Sequence, residues 1–231
     1  EIPFLDMEIT VLRLTPDWCG AFDNARGAVA DLSGIVDEPV SIPSYAFDGL
    51  MDDAEVISAD GLFWIKGKND QIRWTREIAR PWVDNAIRRF FDQADTEKRT
   101  VISADFSEID QLMGQAALCS DGKTFGVRMT IAPGVGSARG RIGFQGASRD
   151  GVLSDFEGSA PVDVVVRGDR IPMIGVFPDR LRQLAQVVAA FGSGPIEITV
   201  GDAVSPIIVR RAGVIRGLTL PFALQTLPGS S

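Results

Sequence analysis

Alternation of apolar and polar residues with a period of two recurs along this chain, and it limits the fold more than any other feature. Met7, Ile9 and Val11 alternate with Glu8 and Thr10, and Ile72 and Trp74 with Gln71, Arg73 and Thr75. Val127, Met129 and Ile131 alternate with Arg128 and Thr130, and Ile196, Ile198 and Val200 with Glu197 and Thr199. Successive side chains of a strand point to opposite faces. Each segment therefore reads as a strand with one buried and one wetted face, the habit of antiparallel sheets. Turn residues separate the segments: Asp60-Gly61, Lys68-Asn69-Asp70, Asp121-Gly122, Pro133-Gly134 and Gly168-Asp169.

Three segments carry helical spacing instead. In 103–118 the apolar set is Phe106, Ile109, Leu112, Met113 and Ala116, with Ser103 as the expected N-cap. In 178–190 it is Leu181, Leu184, Ala185 and Val188, with Pro178 in the favoured first turn. A shorter piece, 44–51, carries Phe47, Leu50 and Met51. Each is amphipathic, so the fold class is α+β, antiparallel sheets backed by amphipathic helices. Residues 40–78 read strand, short helix, then strands around Val56, Ile65 and Ile72. Residues 162–224 repeat that order with strands around Ile198, Ile208 and Leu218. The mixed, charged stretch 82–97 reads as a connector between two similar modules.

Composition removes several function classes. The chain has no histidine, which excludes Ser-His and Cys-His triads, His-ligated metals and imidazole proton shuttles. Its two cysteines, Cys19 and Cys119, make neither a zinc site nor a disulfide framework, so a reducing cytoplasm is expected. Acidic residues outnumber basic ones 31 to 23, a net charge of −8, which rules out a uniformly basic nucleic-acid coat but not a local basic strip. No window holds the roughly 18 consecutive apolar residues of a membrane span. The opening Glu1-Ile-Pro-Phe-Leu-Asp6 has no secretory-leader pattern, and the missing initiator Met suggests a processed or trimmed chain.

From about residue 98 onward, Leu118-Cys-Ser-Asp-Gly-Lys-Thr-Phe-Gly-Val-Arg-Met129 is similar to the segment LSxxKxxGVRL and Ile174-Gly-Val-Phe-Pro-Asp-Arg-Leu181 to IGFNxxYL. In these stretches the sequence resembles the last domain of the bacterial DNA sliding clamp, the beta subunit of DNA polymerase III. Ile198-Thr-Val-Gly-Asp-Ala-Val-Ser-Pro-Ile207 is similar to LxLxDxxSPV, and Leu220-Pro-Phe-Ala-Leu224 stands where the family has MPMRL. The front half resembles the preceding domain. Ile2-Pro-Phe-Leu-Asp-Met-Glu-Ile9 is similar to RPVLxGVLLE, Phe22-Asp-Asn-Ala-Arg-Gly-Ala28 to TDGHRLA, and Val40-Ser-Ile-Pro-Ser-Tyr-Ala-Phe47 to VIVPRKAL. No single motif is specific; their shared order across nearly the whole chain is.

The resemblance implies a DNA-clamp fold: an incomplete domain over 1–81, a connector over 82–97 and a complete C-terminal domain over 98–231. The family's chain is longer, so its first domain and the opening strand and helix of its second are expected to be missing here, while 225–231 extend past its usual end. The implied role is a processivity factor that encircles duplex DNA as a homo-oligomer and tethers DNA polymerase and clamp-loader-type proteins by short linear peptides of the Gln-Leu-x-Leu-Phe type. No catalysis, cofactor, metal or membrane is involved. The peptide pocket, carried over by position, comprises Phe22, Asn24, Arg26, Val204, Pro206, Leu218, Leu220, Pro221 and Phe222, with Asn24 and Ala25 replacing the family's Gly-His. The DNA-facing residues are Arg180 and Arg182. The alternative is a clamp-derived protein-binding or regulatory module that does not encircle DNA.

Read without the resemblance, Val204, Leu218 and Leu220 are equally ordinary strand core, and Pro221 an edge-strand proline. The polar face of 103–118 offers Asp105, Glu108 and Asp110 and no basic residue, which is awkward for a DNA-facing helix. Arg88-Arg89, Lys98-Arg99 and Arg210-Arg211 read as solvated charges balancing nearby acids. Enzymatic constellations are lacking. Asp52-Asp53 sits in a polar turn, Gly134-Val-Gly-Ser-Ala-Arg-Gly140 has no phosphate-loop lysine, and Asp202-Ala-Val-Ser205 has no histidine base. The aromatic run Leu62-Phe-Trp-Ile65 reads equally as core or as a base-stacking platform.

Overall fold

Most of the alternating segments form antiparallel strands in a computed structural model of the chain. It describes residues 11–22, 26–31, 34, 36–43, 46, 55–59, 62–67, 72–76, 99–120, 126–146, 156–167, 174–202, 205–211 and 215–221. The chain divides into two units, Glu1–Val83 and Asp84–Ser231. In the first, β1 (Val11–Leu14), β2 (Cys19–Phe22), β3 (Arg26–Ala30) and β4 (Val40–Pro43) form an antiparallel sheet in the order β3-β2-β1-β4. A second sheet joins β5 (Glu55–Ala59), β6 (Leu62–Lys66) and β7 (Ile72–Arg76) in sequence order. Leu14 and Ile42 of the first sheet share a core with Ala46 and with Phe63 and Ile65 of the second. Of the short helix expected over 44–51 only Ala46 is described, and it is buried; the rest lies outside the described residues, as do Met7 and Ile9.

The β7 alternation is real, but its faces are the reverse of the expected ones. Register places Thr75 opposite Phe63 and Trp74 opposite Trp64. Since Phe63 and Ile65 point into the core, Thr75 is buried, while Ile72 and Trp74 are each 61% exposed. A period of two separates the faces of a strand; only the partner strand decides which one is inside.

The second unit contains the strand–helix–three-strand pattern twice. The first copy is β8 (Thr100–Ala104), α1 (Phe106–Ala117), β9 (Val127–Ala132), β10 (Gly140–Gly146) and β11 (Phe156–Val166). The second is β12 (Ile174–Val176), α2 (Pro178–Ala190), β13 (Ile196–Val200), β14 (Ile207–Arg211) and β15 (Ile215–Thr219). The strand order is β12-β9-β10-β11-β8-β13-β14-β15, so the first strand of each copy pairs with a strand of the other, β8 with β13 and β12 with β9. The helices pack side by side, α1 over β10 and β11 and α2 over β13, β14 and β15.

Helix α2 begins at Pro178 and buries Leu181, Leu184, Ala185 and Val188, as its spacing predicts. Helix α1 buries Ile109, Leu112, Met113 and Ala116, but its N-cap is Asp105, not Ser103. Ser103 belongs to β8, where it pairs with Asp163 and Glu197, and ladder bonding on both sides keeps that segment extended. Full burial of each large apolar side chain contributes about 1.5–3 kcal/mol. Among the described residues no helix is long and apolar enough to cross a membrane.

Candidate functional site

The described pocket candidates of the second unit, Pro206, Leu218, Leu220 and Pro221, gather at one end of the β14–β15 hairpin. Ile207 pairs with Thr219 and Ile208 with Leu218, so Pro206 and Leu220 flank the same cross-strand pair. A Cβ at Gly217 would lie 2.3 Å from Leu184 of α2, so position 217 faces the helix layer. By alternation Leu218 and Leu220 belong to the opposite face, together with Ile208 and Pro206. Leu218, Pro206 and Pro221 are half-buried and Leu220 is 41% exposed. The result is a partly exposed apolar strip of Pro206, Leu218 and Leu220 on the side away from α2, with Ile208 buried. Val204 and Phe222 lie outside the described residues.

The loop leading into this strip is tightly built. Asp202 accepts the Ser205 N–H at 2.6 Å, and Arg99 Nη1 donates to the Pro206 carbonyl at 3.1 Å. In the first unit Phe22 closes β2 opposite Gly27, and the half-buried Arg26 opens β3, so both flank the β2–β3 connection; Asn24 lies outside the described residues.

The polar side of the two helices is a lattice of ion pairs. Arg182 of α2 donates to both Asp110 oxygens, Nε at 2.7 Å and Nη2 at 3.1 Å, and Gln186 reaches the same carboxylate at 3.5 Å. Those bonds, from Arg182 first, hold the Asp110 carboxyl below its usual range and push the guanidinium up. Arg139 grips Glu108 with both terminal nitrogens, at 3.0 and 3.2 Å, and touches Asp163 at 3.3 Å through Nε. Glu108 is lowered in the same way, by its hydrogen bond to Arg139. Arg180 lies over the Phe177 ring, 4.4 Å from its centroid.

Arg139 was not legible as a site residue. It comes from the glycine-rich segment 134–140, where a Cβ at Gly134 would fall 2.0 Å from the Ala138 carbonyl. That turn serves to bring an arginine over α1.

Of the two basic clusters, Arg210 balances a nearby acid as expected, whereas Arg99 and Arg211 are turned to main chain. Arg99 is 4% exposed, with its guanidinium beside Gly201 and bonded to the Pro206 carbonyl. Arg210 binds Glu197 at 2.6 Å, and Arg211 donates to the Ala189 carbonyl at 2.9 Å and to the carbonyls of Gly192 and Gly194. Arg211 thus supplies the positive charge that the C-terminal end of α2 favours, in a last turn with no basic residue of its own. Lys98 and Arg88-Arg89 lie outside the described residues. Among the described residues no three acidic or cysteine side chains cluster as metal ligands. A separate trough of about 340 Å³ over β9, β10 and β11, lined by Thr130, Arg141, Gly143, Glu157 and Ser159, contains none of the predicted residues.

Solved structures resolve what this architecture is. DNA polymerase III subunit beta from Pseudomonas aeruginosa superimposes with a TM-score of 0.70 at 13% identity, over 94% of this chain and 58% of that one. The DNA polymerase sliding clamp from Bacillus subtilis gives a TM-score of 0.73 at 15% identity, over 96% of this chain and 59% of that one. This is the sliding-clamp fold.

The Thermotoga maritima DNA polymerase III beta subunit matches the clamp fold too, with a TM-score of 0.64 at 13% identity. The chain spans about 58% of the length of these clamps. No family model matches the sequence, and no curated protein does. The motif resemblance is therefore borne out as fold: antiparallel clamp sheets backed by helices, recovered at an identity where whole-sequence comparison finds nothing.

Proposed function

We propose that the protein is a clamp-like processivity factor that tethers DNA polymerase and clamp-loader-type proteins to duplex DNA by holding their short linear peptides. The observation that carries this reading is the clamp fold itself, continuous over 94–96% of the chain. In this reading residues 1–81 form an incomplete clamp domain, 82–97 a connector and 98–231 a complete one, whose twofold strand–helix–three-strand pattern supports that division. The peptide pocket is made by Phe22, Asn24 and Arg26 with Val204, Pro206, Leu218, Leu220, Pro221 and Phe222. An open apolar strip edged by polar backbone is what a leucine- and phenylalanine-bearing peptide needs. The mechanism is topological: a homo-oligomeric ring keeps its cargo on DNA and performs no chemistry of its own.

A second reading, a clamp-derived binding module that does not encircle DNA, is favoured by one observation. Arg182 and Arg139 are spent on Asp110 and Glu108, so the helix face has little unpaired positive charge for phosphates. Sedimentation and duplex binding separate the two. The ring reading predicts a mass that is a multiple of 24.9 kDa and duplex binding that weakens with salt, by a log–log slope of about −0.9 per phosphate contacted. A 24.9 kDa species that ignores duplex DNA yet still binds partner peptide would select the module.

A further inference from the structure

We propose that Arg99 is the positioning residue of the partner-peptide surface, holding Pro206 and the start of β14 in the arrangement that presents them; this rests on the peptide-pocket reading above. A guanidinium buried to 4% exposure is costly unless its donors are used, and this one is aimed at main chain. Its Nη1 donates to the carbonyl of Pro206, the residue just before β14. Arg99 itself is fixed to the sheet, since its carbonyl accepts the Arg167 N–H at 3.1 Å immediately before β8 begins. The loop is shaped to receive it. A Cβ at Gly201 would sit 2.9 Å from Ser205 Cβ, too close to be added without a shift, and 3.5 Å from Arg99 Cζ, in ordinary contact with the guanidinium. The Asp202–Ser205 bond closes the other side of the loop. The Arg99–Pro206 and Asp202–Ser205 bonds thus hold Asp202, Ser205 and Pro206, the last of which forms part of the apolar strip.

The test uses the full chain and two readouts. Hydrogen exchange reports the loop amides, Ser205 above all, and fluorescence polarisation with fluorescein-labelled Gln-Leu-Ser-Leu-Phe reports the surface. Arg99→Met is expected to speed Ser205 exchange and to weaken peptide binding about tenfold, the size of one buried charge-assisted hydrogen bond, without altering exchange in β9 and β10. Arg99→Lys, which keeps a cationic donor, restores most of both. Should Arg99→Met fail to fold, Arg99→Gln replaces it, leaving no buried charge. Unchanged loop exchange and unchanged affinity in a folded neutral variant overturn the proposal, as does an Arg99→Lys variant no better than Arg99→Met. If the unmodified protein binds no peptide, the pocket reading falls, and loop exchange alone still decides whether Arg99 holds the loop.

Discussion

Gly217→Ala tests how closely α2 is seated on the sheet. The new methyl would lie 2.3 Å from Leu184 Cδ1, 2.7 Å from Cγ and 3.2 Å from Cδ2. Carbon atoms pack at about 3.5–4.0 Å, so the nearest contact is short by about 1 Å. Because Cγ is included, turning the end of the leucine does not clear it. Leu184 is 4% exposed and has nowhere else to go, so α2 must rise or the side chain must leave its rotamer. Overpacking of this kind costs about 1–3 kcal/mol, offset by about 0.5–1 kcal/mol because alanine loses less backbone entropy than glycine. A net loss of about 1–2 kcal/mol is expected, or about 2–8 °C in melting temperature for a domain of this size. The assay is a double-mutant cycle in urea with Leu184→Ala, which alone costs about 2–5 kcal/mol. In the double variant the alanine methyl fills space that the leucine vacates, so the losses should fall short of additivity by about 1 kcal/mol or more. A Gly217→Ala variant as stable as the parent, or strictly additive losses, would refute the close seating.

The remaining predictions concern charge, thiols and the exposed sheet. Arg182 lowers the folded-state carboxyl of Asp110, so its contribution is present above the ordinary aspartate value of about 3.9 and is lost as pH falls through the lower folded value. Asp110→Asn should therefore melt below the parent at neutral pH, with the gap closing as pH falls below the ordinary aspartate value; a gap independent of pH contradicts the pair. Burial raises the Cys19 thiol, outweighing its hydrogen bond with the Ala30 backbone, and Cys119 is buried. A disulfide reagent at neutral pH should react slowly with the native chain and count two thiols after unfolding, and a rapid native reaction would oppose this. Trp74→Thr should cost no more than about 1 kcal/mol in urea, the scale of one cross-strand pair, because Trp74 is 61% exposed opposite Trp64. A loss above about 2 kcal/mol would mean that something covers this face.

What the sequence made legible was local. Helix α2 was readable to its first residue because a proline in the first turn and apolar residues at 181, 184, 185 and 188 are all signals within one turn or two. The start of α1 was obscured because β8 is paired on both sides and carries no alternation, which left Ser103 looking like a cap. The inversion of β7 and the burial of Arg99 depend on residues far along the chain, as do the Arg139–Glu108 and Arg182–Asp110 pairs, separated by 31 and 72 positions. Such pairs leave no periodic trace. The same holds near the start of β14: the motif resemblance drew attention to Pro206, Leu218 and Leu220, whereas the bond from Arg99 to the Pro206 carbonyl left no local signal. The repeat was recognised between the two halves of the chain, and its second occurrence within the C-terminal unit emerged only from sheet order.

The central claim is that this clamp fold presents a partner-peptide surface. Calorimetric titration of the full chain with Gln-Leu-Ser-Leu-Phe, beside a scrambled peptide and the Phe222→Ala variant, tests it most directly. The account predicts micromolar binding, about −8 kcal/mol, lost with the scrambled sequence and weakened at least tenfold by Phe222→Ala. Binding no tighter than about millimolar, or equal binding of the scrambled peptide, would contradict it and leave the clamp fold as scaffold alone.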